Sequence, residues 1–118
     1  MESRISVKDG KNIIFFKVEG DFDNLLCIKY KNEITEILAR RRCDLVVFDL
    51  SLVTFIDSSG IGLLLGRYKQ VSEYKGEIII CGVNKHIKKT LAISGIALII
   101  DTYEEIFENI KELMKVYE

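Results

Sequence analysis

Apolar positions along this chain recur with two different periods, and the places where one gives way to the other mark the expected elements. Arg4 to Val7 and Ile13 to Val18 are short and rich in Ile, Val and Phe, the composition of strands. Lys8-Asp9-Gly10-Lys11-Asn12 separates them, and its Asp-Gly predicts a hairpin. After Gly20-Asp21-Phe22-Asp23-Asn24 the apolar residues fall at Cys27, Tyr30, Ile34, Ile37 and Leu38, the three-and-four spacing of a helix with one buried face. Its end is placed in Arg40-Arg41-Arg42, where positive charge complements the carbonyl end of the dipole.

Asp44 to Leu50 contains the unbroken run Leu45-Val46-Val47-Phe48. Absence of alternation predicts a strand covered on both faces, in the middle of a sheet. Ser59 to Tyr74 turns helical again, with Ile61, Leu64, Leu65, Tyr68 and Val71 along one stripe. Gly76 then punctuates. The remaining pattern predicts a strand over Glu77 to Cys81, a short helix over Lys85 to Ile93, a strand over Ile96 to Ile100 and a final helix over Tyr103 to Tyr117. The stripe of that last helix is Ile106, Phe107, Ile110, Leu113, Met114 and Tyr117. The order ββαβαβαβα implies a single α/β domain over residues 1–118. Its mainly parallel central sheet is opened by an N-terminal antiparallel hairpin, with helices packed on the sheet.

Composition narrows the function more than the fold. With 118 residues, 48% of them apolar, the chain has the size and content for one domain around one core. The 17 basic and 18 acidic side chains nearly cancel, so no large field is available to hold a nucleic-acid backbone or an anionic membrane. No apolar stretch approaches the roughly 20 residues of a spanning helix, and Met1-Glu2-Ser3-Arg4 does not lead into a signal-peptide core. A cytoplasmic chain is expected. Cys27, Cys43 and Cys81 are odd in number and widely spaced, which reads as reduced structural thiols rather than a redox or zinc site. His86 is the only histidine, so no multi-histidine metal site and no obvious general base is present. No cofactor, metal or enzymatic activity is expected.

The chemistry concentrates at Asp57-Ser58-Ser59-Gly60, where the apolar strand gives way, after a loop, to the second helix. Aspartate and serine are favoured helix caps because a side-chain oxygen accepts from an amide left orphaned in the first turn. A cap alone explains them. Gly60, Gly62 and Gly66 cost up to about 1 kcal/mol each of helix propensity relative to Ala, so something is expected to approach the backbone closely. Gly62 and Gly66, four residues apart, are assigned to close packing of the helix on the strands. Gly60 sits at the helix mouth, where a hydroxyl facing unpaired amides and the positive dipole end can hold a phosphate. The dinucleotide fingerprint wants its third glycine one position earlier than Gly66, and no Gly-Lys-Ser/Thr follows to make a P-loop.

The run Phe55-Ile56-Asp57-Ser58-Ser59-Gly60-Ile61-Gly62, continued by Leu65-Gly66-Arg67-Tyr68-Lys69-Gln70, resembles the signature of the anti-sigma factor antagonists of the STAS domain family, particularly the sporulation type. Gly20-Asp21-Phe22-Asp23 is similar to that family's Gly-Glu-Leu-Asp turn, and Lys88-Lys89-Thr90-Leu91 through Ser94-Gly95 to its third helix and following turn. The resemblance implies a partner-switching cycle. An anti-sigma factor that is itself a serine kinase would phosphorylate the first serine after the aspartate, Ser58. The unphosphorylated protein would bind the anti-sigma factor and free a sigma factor, and a serine phosphatase would restore the phosphorylated form. Asp23, Asp57, Ser59, Gly60, Ile61 and Gly62 would form the partner-binding surface. Asn24-Leu25-Leu26-Cys27 departs from the family by being bulkier than the small residues expected there. STAS-like domains also serve as accessory modules of transporters and of larger signalling assemblies, the alternative reading.

Overall fold

The computed structural model describes residues 2–107 of the chain. Strand β1 (Arg4–Gly10) pairs antiparallel with β2 (Ile13–Phe22) through a two-residue turn. Asn12 takes the left-handed conformation there, φ 61°, which asparagine tolerates better than most residues. Helix α1 (Asn24–Arg40), strand β3 (Leu45–Ile56), helix α2 (Ser58–Ser72), strand β4 (Glu77–Cys81) and helix α3 (Lys85–Ser94) follow. The sheet order is β1-β2-β3-β4-β5, with β3 at its centre and every pairing after the hairpin parallel.

Among the described residues the two faces of the sheet are covered by different elements. Against one lie α1, α2 and α3, which bury Ile34, Leu38, Leu64, Ile87 and Leu91 on Phe16, Val46, Phe48 and Ile80. Phe16 and Phe48 stack with ring centroids 5.0 Å apart. Against the other, Ile13, Phe15, Val47, Ile79 and Cys81 meet Phe107 and the partly buried Tyr103. The uniform apolar run of β3 follows from this double coverage, since Val46 and Phe48 point to one face and Val47 to the other.

The segment after α3 departs from the expected Ile96 to Ile100 strand. Gly95, at φ 86°, caps α3 in the left-handed region, and the chain winds on as a 3-10 turn over Ile96–Leu98. The amides of Ile99 and Ile100 both return to the Ile96 carbonyl. Those local bonds take groups that a strand would have offered to its neighbour. The turn buries Ile96 and Ile100 but leaves Leu98 and Ile99 exposed, so the apolar run does not mark a buried strand. The fifth strand, β5, is Asp101–Thr102, paired with Ile79 and Ile80 of β4. Residues 103–107 are not helical, against the expected start of a helix at Tyr103. The Tyr103 amide donates to Ile80 O, and Gly82 and Val83 amides to the carbonyls of Glu105 and Tyr103; the segment is tied to β4 and its exit. The rest of that expected helix, with Ile110, Leu113, Met114 and Tyr117, lies outside the described residues.

One further departure shapes the site. The loop expected after Leu50 is strand, because β3 keeps pairing with β2 as far as Ile56. The last β3 residue opposite β4 is Asp49, facing Cys81. Beyond it β2 and β3 continue as a two-stranded ribbon, which leaves Leu52 and Phe55 exposed while Val53 and Ile56 stay in the core.

Replacing Phe48, fully buried and stacked on Phe16, by alanine is expected to lower stability by about 3–5 kcal/mol. Urea unfolding followed by circular dichroism measures it.

Candidate functional site

The ribbon ends with Phe22 registered on Ile56, so the residues that follow, Asp23 and Asp57, emerge side by side at the starts of α1 and α2. Each caps its own helix: Asp23 Oδ1 accepts from the Leu26 amide at 3.1 Å, and Asp57 Oδ1 from the amides of Ser59 at 2.8 Å and Gly60 at 3.1 Å. The other Asp57 oxygen, Oδ2, accepts from the Asn24 amide at 3.3 Å, which belongs to α1. One carboxylate thus ties the two helix mouths together. Ser59 Oγ adds a second tie by donating to Asn24 Oδ1 at 3.2 Å.

This arrangement corrects one expectation. The amides of Ser59 and Gly60 are taken by Asp57, so they do not stand open for a phosphate. Ser58, the first residue of α2, is exposed; among the described residues its hydroxyl has no hydrogen-bond partner. Ser59 is half-buried and committed to Asn24. Asp21 stands at the same end of the molecule, accepting from Thr54 Oγ1 at 3.1 Å. Among the described residues no ion pair neutralises Asp21, Asp23 or Asp57. The start of α2 beside Ser58 is already capped by the Asp57 carboxylate.

The glycines also exchange roles. A Cβ on Gly60 would lie 2.5 Å from the Phe22 carbonyl oxygen and 2.8 Å from Ile56 Cγ1, so Gly60 is the position where α2 presses on the ribbon. Gly62 and Gly66 have nothing within 4 Å of the place a methyl would occupy and do not face the strands. They line an open cavity of about 340 Å³ between α1 and α2, with Asn24, Cys27, Ile28, Lys31, Ser59, Leu63 and Arg67. Ile61 is half-buried against the core, and its amide donates to Asp57 O at 3.1 Å.

The α2 stripe is rotated from the expected one. Leu63 and Arg67 are buried with Leu64 and Val71, whereas Ile61, Leu65 and Tyr68 are only partly buried. Arg67 escaped the periodicity argument because a charged residue counts as solvent-facing in any hydrophobic pattern. In α1, Leu26 and Cys27 enter the core while Leu25 and Ile28 are 77% and 69% exposed, so the bulky start of this helix places two aliphatic side chains in solvent. Cys27, Cys43 and Cys81 are free and buried. Burial, followed by the fields of Asp57 and Asp23, pushes the Cys27 thiol up to about 11, and it stays protonated at neutral pH. His86 is exposed on α3. Among the described residues no three His, Cys, Asp or Glu side chains gather as metal ligands, and no helix is long and apolar enough to cross a membrane.

The fold and this doubly capped end define a small α/β domain with a five-stranded mixed sheet and an exposed serine at the joint mouth of two helices. The STAS domain family model matches residues 4–113, and the chain belongs to that family. Among its relatives, the anti-sigma F factor antagonist of Paenibacillus polymyxa is 29% identical over 113 residues, 96% of this chain and 97% of the relative. Among solved structures, an anti-sigma factor antagonist from Mycobacterium paratuberculosis superposes with a TM-score of 0.80 at 19% identity, covering 99% of this chain and 96% of that one. The unphosphorylated anti-sigma factor antagonist SpoIIAA gives a TM-score of 0.72 at 15% identity, covering 96% of each chain.

The glycine geometry predicts opposite outcomes two positions apart. Gly60→Ala is expected to cost about 1–3 kcal/mol by overpacking on the Phe22 carbonyl, whereas Gly62→Ala should stabilise by up to about 1 kcal/mol through helix propensity. Thermal denaturation of the two variants in parallel distinguishes them.

Proposed function

We propose that this protein is a cytoplasmic anti-sigma factor antagonist, switched by phosphorylation of Ser58 and contributing no catalytic group of its own. In its unphosphorylated form it binds an anti-sigma factor with serine kinase activity and so releases the sigma factor. Phosphorylation ends that binding, and a serine phosphatase resets the cycle. Support comes from the near full-length similarity to the Paenibacillus polymyxa antagonist and from the run around Asp57-Ser58-Ser59-Gly60. The observation that carries the reading is the contrast between the adjacent serines. Ser58 is exposed at the first position of α2, and Ser59 is held by Asn24, so a kinase meets Ser58 first.

The switch has a sufficient physical basis. Phosphorylation adds about −1.5 to −2 charges next to Asp57, whose capping bonds leave it no freedom to turn away. A partner carboxylate docked about 6 Å from the new group would feel roughly 3 kcal/mol of repulsion per unit charge pair at an effective dielectric near 20. That corresponds to about a hundredfold in affinity. The base that activates the hydroxyl comes from the kinase, because Asp57 has both oxygens engaged by backbone amides. Asp23, Ser59, Ile61 and Gly62 form the docking surface beside the acceptor in this reading, while Gly60, expected there too, is buried and seats α2 on the ribbon beneath them.

Incubation with the cognate kinase and ATP, followed by mass spectrometry, should place the phosphate on Ser58 and leave it there in Ser59→Ala. Ser58→Asp should weaken the complex about a hundredfold in calorimetry. Label on Ser59, or an undiminished complex with Ser58→Asp, would refute the assignment.

A further inference from the structure

Arg67 is the charged side chain on α2 that the fold buries. It is 7% exposed, and its Nε and Nη1 are buried without a hydrogen-bond partner. Burial alone pulls its pKa down. A guanidinium carries five donors in a rigid fork matched to a carboxylate, and leaving such donors unpaired out of water is costly. The side chain lines the cavity between α1 and α2, whose floor is made by Gly62 and Gly66. Neither glycine has a neighbour within 4 Å of the position a side chain would take. The trough is therefore open along its length rather than closed by packing.

Its lining is polarised. Arg67 and Lys31 are its charged members, both cationic; Ile28 and Leu63 give it apolar walls; Ser59 and Asn24 stand at its other end. Eight residues of α2 separate Ser59 from Arg67, about 12 Å at about 1.5 Å per residue. That length suits about four residues of extended chain. The Ser59 end adjoins Ser58, so the trough continues the docking surface proposed above, and Ile28 offers an exposed aliphatic group beside it.

We propose that the α1–α2 trough receives an extended segment of the anti-sigma factor and that Arg67 binds the carboxylate of an Asp or Glu on that segment. The occupant is a protein segment rather than a free anion because the trough is long, half apolar and continuous with the Ser58 surface. The inference rests on the antagonist reading and adds to it a second anchor, about two and a half turns of helix from Ser58. The two anchors carry opposite electrostatic signs: the Ser58 end is acidic and the Arg67 end basic, which fixes the direction in which the segment lies.

The test pairs binding with stability. In titration calorimetry of the full chain with its cognate anti-sigma factor, Arg67→Met is expected to weaken the complex by roughly thirtyfold or more, as when one member of a desolvated charge pair is lost. The same variant should unfold at a higher temperature than the unmodified protein, because an unpaired buried charge has been removed. A purely structural arginine would show the reverse, with lowered melting and unchanged affinity. Gly66→Leu, which fills the trough while keeping the Arg67 side chain, should weaken binding with the fold kept. Full affinity in both variants, alongside loss of binding in Ser58→Asp, would overturn the trough and leave the antagonist reading standing. No binding by the unmodified protein would overturn both. Saturable uptake of acetate below 1 mM, seen as a shift of the Arg67 Nε resonance and lost in Arg67→Met, would assign the site to a free small anion and overturn the protein occupant.

Discussion

The parallel pairing of β2 with β3 beyond the limits of the sheet is the constraint on which the rest of this molecule depends. Because Phe22 lies opposite Ile56, two helices start from neighbouring positions and point their positive ends at one small region. Two capping carboxylates then become neighbours as well. Asp57 resolves the crowding by accepting from both helices at once. Gly60 permits it, since only a residue without a side chain lets α2 begin this close to the Phe22 carbonyl.

A helix mouth of this kind is usually the place to bind an anion, yet here the protein fills it with its own carboxylate. The consequence is a pair of capping carboxylates, Asp23 and Asp57, with the exposed Ser58 hydroxyl at their edge. Adding a dianion to such a surface changes what can dock there far more than it changes the fold, because the capping bonds are internal and Ser58 takes part in none of them. A modification that leaves the domain standing while altering its exterior is suited to a reversible switch. The adjacent trough is built on the opposite principle. There a cation has been withdrawn from water, with two of its nitrogens left without a hydrogen-bond partner.

Family membership accords with these features without replacing them. The likeness to solved structures at 15–19% identity establishes the fold, and the same fold carries other tasks. The local chemistry of the Asp57 to Gly60 segment is where the readings differ: which amides are taken and which hydroxyl is free.

The chain alone determined the element order through Lys85 to Ile93, the central place of β3 and the capping role of Asp57, because periodicity and cap chemistry are local and survive without knowledge of neighbours. Ser58 came from the resemblance to the antagonist family rather than from these local signals. What the tertiary structure decided are the properties that depend on two distant segments meeting. The apolar run from Ile96 to Ile100 looked like a strand, but a left-handed Gly95 and bonds to the Ile96 carbonyl wound it into a turn. Spacing assigned Gly62 and Gly66 to packing on the strands and Gly60 to the open mouth; the approach of β2 reverses this, making Gly60 the packing contact and leaving the other two facing open space. Arg67 could not be read as buried from its own position, since the burial comes from α1, whose distance from α2 is set by the register of two strands.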